Sequence, residues 1–268
     1  MYAKCGSLAE ARDSFFELPV RNVVSWNTMI SGYVEYGPQV HALQCFEQIK
    51  LEGLSPTDAT MASMFKVCGA TESYGKGREI HTMLLMLRSK DTTKVNDDAD
   101  AGDLSKIGLC VGNALIGMYS RRGGSQEAAQ MVFDGLIDRD VVTWTALIAG
   151  YTQLGLGRET LECFRRMQNE GICPDAVTYA FVLKACGFVR SLETGEDIHA
   201  EIRKKGLLLE DNVLGSALVD MYGKCGMFEK AQKIFKVLLV KDVLSWNALI
   251  SGYSQYGLCI EAFKCLRQ

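Results

Sequence analysis

His199 and Glu201, separated by one residue, have the spacing with which a zinc site of the H-x-E type begins. In zinc deaminases this histidine binds the metal and this glutamate acts as general acid and base. A P-C-x-x-C segment must supply the remaining ligands, and it occurs nowhere in the chain. His81 stands at the equivalent place of a similar segment, and Met83 follows it where the pattern needs an acid. We therefore predict no metal at His199.

The segment GLGRET at 155–160 is glycine-rich, as phosphate-binding loops are. It lacks the G-K-[ST] ending that contacts phosphate and magnesium, so we interpret it as a turn between two helices.

The ten cysteines include no C-x-x-C pair, and Cys45, Cys163 and Cys265 occupy equivalent places of an internal repeat. We expect reduced thiols that pack as small hydrophobic side chains. No nucleophile, base and orienting group recur together, so we predict no catalysis, no cofactor and no small-molecule substrate.

The elements that carry these residues follow from residues 141–175, VVTWTALIAGYTQLGLGRETLECFRRMQNEGICPD. Apolar residues recur there at spacings of three and four in two runs, separated by Gly155 and Gly157 and ended by Gly171 and Pro174. This pattern predicts two amphipathic helices joined by a turn. Neither helix can bury its apolar stripe alone, so the hairpin requires copies stacked beside it.

Copies fill the chain, as VVSWNTMISGY at Val23 and VLSWNALISGY at Val243 show. The predicted units are a partial short repeat at 1–22, a long one at 23–57, a medium one at 58–108, a short one at 109–140, a long one at 141–175, a medium one at 176–211, a short one at 212–242 and a truncated long one at 243–268. We expect an all-α fold, a right-handed α-solenoid superhelix of stacked helix-turn-helix repeats in one domain. Because both ends fall inside a repeat, we expect the sequence to be a fragment in which a targeting peptide is not visible.

The formal net charge of −3 is low for a protein that binds nucleic acid. Residues 91–103, DTTKVNDDADAGD, hold five Asp and one Lys, so this segment carries −4 and the rest of the chain about +1. This insertion, near 91–105, is too polar to pack, and we expect a flexible surface loop. No run of residues approaches the ~20 apolar residues of a membrane span.

The repeats resemble the pentatricopeptide repeat family, in its plant-type class that alternates long, medium and short repeats. The resemblance rests on VVSWN with ISGY, then K-x-C with G-x-x-I-H, then NALIGMY with the following EAAQMVF at 127–133, in that order along nearly the whole chain. It implies binding of single-stranded RNA, one base per repeat, each base contacted by two or three side chains. It also implies a mitochondrial or chloroplast location and a role in RNA editing, transcript stabilisation or splicing, with an RNA-editing deaminase or another processing factor as partner.

In this family the fifth and last residues of a repeat select the base, and the second residues sandwich it. The resemblance implies the selecting pairs Asn113 with Asp140 for uracil, Thr145 with Asp175 for guanine and Ser216 with Asp242 for guanine, more weakly. Asn27 and Asn247 are further fifth residues, and Val24, Cys110, Val142, Val213 and Leu244 are the second residues. Three residues depart from the pattern: Thr57 follows Asn27 in place of an acid or amide, and Ala62 and Ala180 cannot hydrogen-bond a base edge. We therefore expect the two medium repeats to act as spacers.

Other interpretations of these residues stay open. Asp140, Asp175 and Asp242 each precede a helical run, where an aspartate that caps the helix contributes about 1 kcal/mol to its stability. The three tryptophans at 26, 144 and 246 lie on apolar stripes, which favours packing between helices over base stacking. A helical array of near-neutral charge is also typical of protein-interaction scaffolds that hold a peptide. Binding of short single-stranded RNAs separates the two functions.

Overall fold

The computed structural model describes residues 7–90, 104, 107–121, 123–207 and 212–267 of the chain. Contacts group the chain into two compact units, residues 1–147 and 148–268. The acidic segment that we expect to be a surface loop, at 91–103, lies outside the described residues, as do residues 1–6 of the first partial repeat.

The described residues form fifteen α-helices and contain no strand, which confirms the all-α prediction. In chain order they are α1 (Leu8–Phe16), α2 (Val23–Tyr36), α3 (Gln39–Leu51), α4 (Asp58–Ala70), α5 (Tyr74–Lys90), α6 (Leu109–Tyr119), α7 (Gln126–Gly135), α8 (Val141–Gln153), α9 (Gly157–Asn169), α10 (Ala176–Val189), α11 (Leu192–Lys204), α12 (Asn212–Lys224), α13 (Phe228–Val237), α14 (Val243–Gln255) and α15 (Cys259–Leu266). The even-numbered helices are the first helices of the hairpins, and each begins at the first residue of a predicted repeat.

In the first unit, α2 and α4 each pack against their own second helix and against the next first helix. Thus α2 contacts α3 and α4, and α4 contacts α5 and α6. Phe46, Phe65 and Leu115 are fully buried between these layers. Trp26 and Trp144 are buried as well, each 4.6 Å from the ring centroid of a phenylalanine in edge-to-face contact. Packing between helices is therefore the role of these two tryptophans.

The second unit repeats this arrangement. Here α10 contacts α9, α11 and α12, and α12 contacts α13 and α14. The predicted stripe of α9, Leu161, Phe164 and Met167, is buried. Trp246 is half-buried, and its ring lies 4.6 Å from that of Phe235.

Two glycines mark the ends of helices in the second unit. Gly155 and Gly171 both have φ of 75°. This left-handed conformation strains any side chain with a Cβ atom, so glycine suits the places where a helix must stop. Both stops were predicted from the sequence of residues 141–175.

The cysteines divide between the core and the surface. Cys68 and Cys186 are buried, and burial raises their pKa values to about 11 and about 12, so both thiols stay protonated at neutral pH. Cys110, Cys173 and Cys259 are exposed, contrary to the expectation that the thiols lie in the core. The repeat pattern places these three on turns and first helical turns, where the side chain faces outward.

Candidate nucleic-acid interface

Five of the first helices, α2, α4, α8, α10 and α14, begin with capped N-termini, and the caps are the last residues of the predicted repeats. The first helix α6 differs, because Gly108 before it supplies no side-chain cap. Asn22, Thr57, Asp140, Asp175 and Asp242 each accept a hydrogen bond from the backbone N–H three residues on. The residue at that third position is always Ser or Thr. Such a cap satisfies one of the free N–H groups at a helix start and contributes about 1 kcal/mol. The capping interpretation of the aspartates is confirmed.

Asn113 connects the second turn of α6 to the cap of α8. Its Nδ2 atom donates to Asp140 Oδ1 at 3.3 Å, and its Oδ1 atom accepts from the Thr143 hydroxyl at 2.6 Å. Both Asn113 and Asp140 are half-buried, so part of each polar group faces solvent. The fifth and last residues of this repeat therefore form one hydrogen-bonded group.

Asn27 makes the same arrangement at the start of α4. Its Nδ2 atom donates to Thr57 Oγ1 at 3.0 Å, and its Oδ1 atom accepts from the Thr60 hydroxyl at 2.6 Å. We expected Thr57 to break the pattern because it is neither acid nor amide. In the structure its hydroxyl both caps α4 and accepts from Asn27, so the group survives the substitution.

The 212–242 repeat differs from the prediction. Ser216 is 2% exposed, and its hydroxyl has no hydrogen-bond partner among the described residues. Asn212, one turn earlier in α12, donates from Nδ2 to Asp242 Oδ2 at 2.9 Å instead. The amide of Asn212 thus contacts Asp242 from the first turn of α12, while the Ser216 hydroxyl lies in the core. The sequence signal for Asn212 was an amide four residues before Ser216, on the same helical face.

Thr145, Asp175 and Asn247 are the remaining predicted fifth and last residues. In the first unit, half-buried Thr145 donates its hydroxyl proton to the Val141 carbonyl at 2.7 Å. In the second unit, exposed Asp175 accepts from the Thr178 N–H at 2.8 Å and hydroxyl at 2.6 Å. Asn247 is exposed on the second turn of α14.

The second residues of the repeats are apolar and exposed. Val24 is 67% exposed, Val142 and Val213 are each 53% exposed, and Leu244 is 56% exposed. Cys110 is exposed too, and so is Val177, which the sequence prediction missed. Aliphatic side chains that are exposed on the first turns of the first helices can pack on the flat faces of bases.

Hydrogen bonds to two capping carboxylates change their pKa values. At Asp140, burial acts to raise the pKa, but hydrogen bonds from Thr143 and Asn113 outweigh it and the pKa is lowered. At Asp242, the N–H of Ser245 lowers the pKa most. Both groups are therefore anionic at neutral pH and can accept hydrogen bonds from a ligand.

His199 of the H-x-E pattern and His81 at the equivalent place both contact a tyrosine of a neighbouring helix. The Nδ1 atom of His199 lies 2.9 Å from the Tyr222 hydroxyl, and that of His81 lies 3.0 Å from the Tyr119 hydroxyl. Burial lowers the pKa of both imidazoles. Over the described ranges, no group of three or more His, Cys, Asp and Glu side chains is arranged to hold a metal ion. No helix in the same ranges has the length and hydropathy to span a bilayer.

Comparison with known proteins identifies relatives of the whole chain. A putative mitochondrial pentatricopeptide repeat-containing protein of Arabidopsis thaliana is 36% identical over an alignment of 269 residues, which covers 99% of this chain and 40% of the relative. A chloroplastic pentatricopeptide repeat-containing protein of the same plant is 34% identical over 266 residues, 99% of this chain and 40% of the relative. The chain thus spans about two fifths of the length of these relatives.

Solved structures show the same fold. The crystal structure of the pentatricopeptide repeat protein PPR10 from maize superposes with a TM-score of 0.56 at 19% identity and covers 99% of this chain and 41% of that one. The structure of PPR10 in complex with an 18-nt psaJ RNA element gives a TM-score of 0.55 at 19% identity, with 99% and 43% covered.

Family models match at four places. The model of the PPR repeat family matches residues 21–70 and 139–187, and the PPR repeat model matches residues 216–243 and 244–268. These matches take in more than half of the residues, so the chain belongs to the pentatricopeptide repeat family.

Proposed function

We propose that this chain binds single-stranded RNA sequence-specifically, one base per repeat, along the N-terminal turns of its first helices. The observation that carries the proposal is the hydrogen-bonded group of Asn113 and Asp140, repeated by Asn27 and Thr57, beside exposed aliphatic second residues. An amide has two N–H donors and two acceptor lone pairs, so Asn113 keeps one of each for a base edge while its bonds to the cap fix its orientation. The aliphatic side chains add affinity without base choice.

The base preferences follow the family rule. Asn113 with Asp140 selects uracil and Thr145 with Asp175 selects guanine. Asn27 and Asn247 are further amides at the same position. We leave Ser216 out of this set because its hydroxyl is buried.

We further propose that the whole protein acts in organelle RNA processing as a member of the class with alternating long, medium and short repeats. The three repeat lengths support the class, and relatives named as mitochondrial and chloroplastic support the location. RNA editing, transcript stabilisation and splicing all require a protein that marks one site of a transcript. An editing deaminase or another processing factor would then be recruited to that site.

A gel-shift experiment tests the binding proposal. The 268-residue chain is titrated against short single-stranded RNAs, with duplex RNA and single-stranded DNA of the same sequence as competitors. We expect a shift with single-stranded RNA and a preference for uracil and guanine at neighbouring positions. If no RNA is bound, the exposed aliphatic edge fits the alternative function, a scaffold that holds a peptide.

A further inference from the structure

Each medium repeat carries a lysine on the helical face that also presents its second residue. In α4, Lys66 follows Ala59 by seven residues, and in α10, Lys184 follows Val177 by seven residues. Residues seven apart lie on one face of a helix, two turns from each other. All four side chains are exposed. The helical face that presents the apolar second residue on its first turn therefore presents a lysine two turns later.

Both lysines lack an acidic partner. Of the ion pairs among the described residues, none includes Lys66 or Lys184. The Lys184 ammonium instead lies 5.8 Å from the ring centroid of Phe188, which is 43% exposed. These two positive charges are available to a ligand.

A second cation from the following short repeat lies one turn further along each face. A Cβ atom on Gly69 of α4 would stand 3.2 Å from Cδ of Arg121, and one on Gly187 of α10 would stand 3.0 Å from Cδ of Lys224. The aliphatic part of the basic side chain therefore packs against a glycine in both units, Arg121 against Gly69 and Lys224 against Gly187. In the second unit, Lys224 also lies 4.7 Å from the Phe188 ring centroid, so it shares that ring with Lys184.

The two pairs of basic residues, Lys66 with Arg121 and Lys184 with Lys224, differ in how far acidic side chains neutralise their charge. Lys224 forms an ion pair with Asp220 at 2.6 Å. The residue equivalent to Asp220 in α6 is Gly117, and Arg121 has no acidic partner among the described residues. The positive charge is therefore greater at the first junction, between α4 and α6.

The same two medium repeats carry alanine where a base would be selected. Ala62 and Ala180 offer no hydrogen bond to a base edge. An RNA strand that passes these helices still carries one phosphate per nucleotide, and an unpaired lysine is the group that phosphate contacts require.

We propose that Lys66 and Lys184 bind phosphates of the RNA backbone, so that the medium repeats add affinity without choosing a base. This inference rests on the proposed RNA binding. It assigns the medium repeats a role other than that of spacers.

The salt dependence of binding tests the proposal. Lys66→Gln, Lys184→Gln and the double variant are compared with the unchanged 268-residue chain by measuring Kd for one single-stranded RNA over a salt series. Each lost phosphate contact should reduce the slope of log K against log salt by about 0.7, and the double variant should lose about 1.4. The base preference should stay the same, because phosphates carry no sequence information.

Lys236→Gln is the matched control, because Lys236 is an exposed lysine on the second helix α13. Its slope should equal that of the unchanged chain. If the unchanged chain binds RNA and the slopes of Lys66→Gln and Lys184→Gln are also unaltered, the lysine proposal is wrong while RNA binding stands. A changed base preference would overturn it as well. If the unchanged chain binds no RNA at all, the proposed function itself fails.

Discussion

Asn113 is a poor helix former in the middle of a helix, and its surroundings explain its presence there. An asparagine inside a helix destabilises that helix, because its side-chain amide competes for the hydrogen bonds of the backbone. Here the amide is occupied by Asp140 and by the Thr143 hydroxyl. The local cost is therefore offset by bonds to the next repeat, which leave part of the amide open to solvent.

Asn113→Thr should move the preferred base at one position from uracil toward guanine. A hydroxyl replaces the donor and acceptor of the amide, and the expected change in preference is about tenfold, equivalent to ~1.4 kcal/mol. Binding to RNAs randomised at one position measures it. Asn169→Thr, at the exposed end of α9, is the control and should alter nothing. An unchanged profile for Asn113→Thr would remove Asn113 from the site.

Ser216→Ala should stabilise the chain. The buried hydroxyl has no partner among the described residues, and an unsatisfied buried polar group costs on the order of 1 kcal/mol. Urea denaturation should show a gain of about 1 kcal/mol, with the RNA base preference unaltered. Ser254→Ala, at an exposed position of α14, should gain only a few tenths. Loss of stability in Ser216→Ala would mean that the hydroxyl is bonded after all.

At the scale of elements, two contacts define how one repeat meets the next. One is the capped start of α4, α8 and α14, which the preceding repeat contacts through its fifth residue, Asn27 or Asn113, or through its first residue, Asn212. The other is the close approach of successive first helices, as where Gly223 of α12 meets Gly252 of α14. Each contact can be altered separately.

The cap of α8 depends on the acceptor at position 140. Asp140→Ala should cost about 1 kcal/mol of unfolding free energy, whereas Asp140→Asn retains an acceptor and should cost less. The pKa of Asp140 is lowered in the folded chain, so its charge stabilises the fold above the ordinary aspartate pKa, about 3.9, and this contribution is lost as the pH falls through the folded value. Urea denaturation at pH 7 and pH 3 measures it. The difference between the unchanged chain and Asp140→Asn should shrink at pH 3, and a constant difference would contradict the assignment.

Gly252→Ala should weaken the contact between α12 and α14. The new Cβ atom would lie 2.9 Å from Gly223 Cα, and backbone cannot move aside as a side chain can. We expect a loss of ~1–3 kcal/mol by urea denaturation. Gly117→Ala in α6 is the control, because apart from its own helix backbone and its chain neighbours no described atom lies within 4 Å of its Cβ position. That variant should gain up to ~1 kcal/mol from helix propensity, and equal effects of the two substitutions would disprove the close approach.

At the scale of the whole molecule, charge is distributed unevenly along the chain. The segment 91–103 carries −4, so the rest of the chain has about +1. RNA binding by a chain of nearly neutral charge must depend on few phosphate contacts. The acidic segment then opposes the approach of RNA through its field.

Replacement of the five aspartates in 91–103 by asparagine should raise RNA affinity at low salt, because it removes repulsion of phosphate. The gain should vanish in ~1 M salt, where the Debye length is only ~3 Å. Measurement of Kd at both salt concentrations tests it. Lys94→Gln changes the segment in the opposite direction and should lower affinity at low salt. A gain that persists in high salt would point to a direct contact rather than a field.

Local patterns determined most of the fold. The repeat period, the helix starts and the buried stripes follow from spacings of three and four and from residues that cap and stop helices, all of which act within a few positions. The second residues were predicted from the resemblance to the pentatricopeptide repeat family, and their place on the first helical turn explains why they are exposed. Val177 was missed only because its repeat was set aside as a spacer.

The partners of the caps were decided by the tertiary structure. Whether Asn27 accepts a threonine as partner, and whether Ser216 or Asn212 meets Asp242, depends on the distance between helices about 30 residues apart in the chain. A difference of one or two side-chain atoms decides whether that distance is spanned. The sequence determined which polar groups are near each helix start, and only the packing of the helices selects which of them touch.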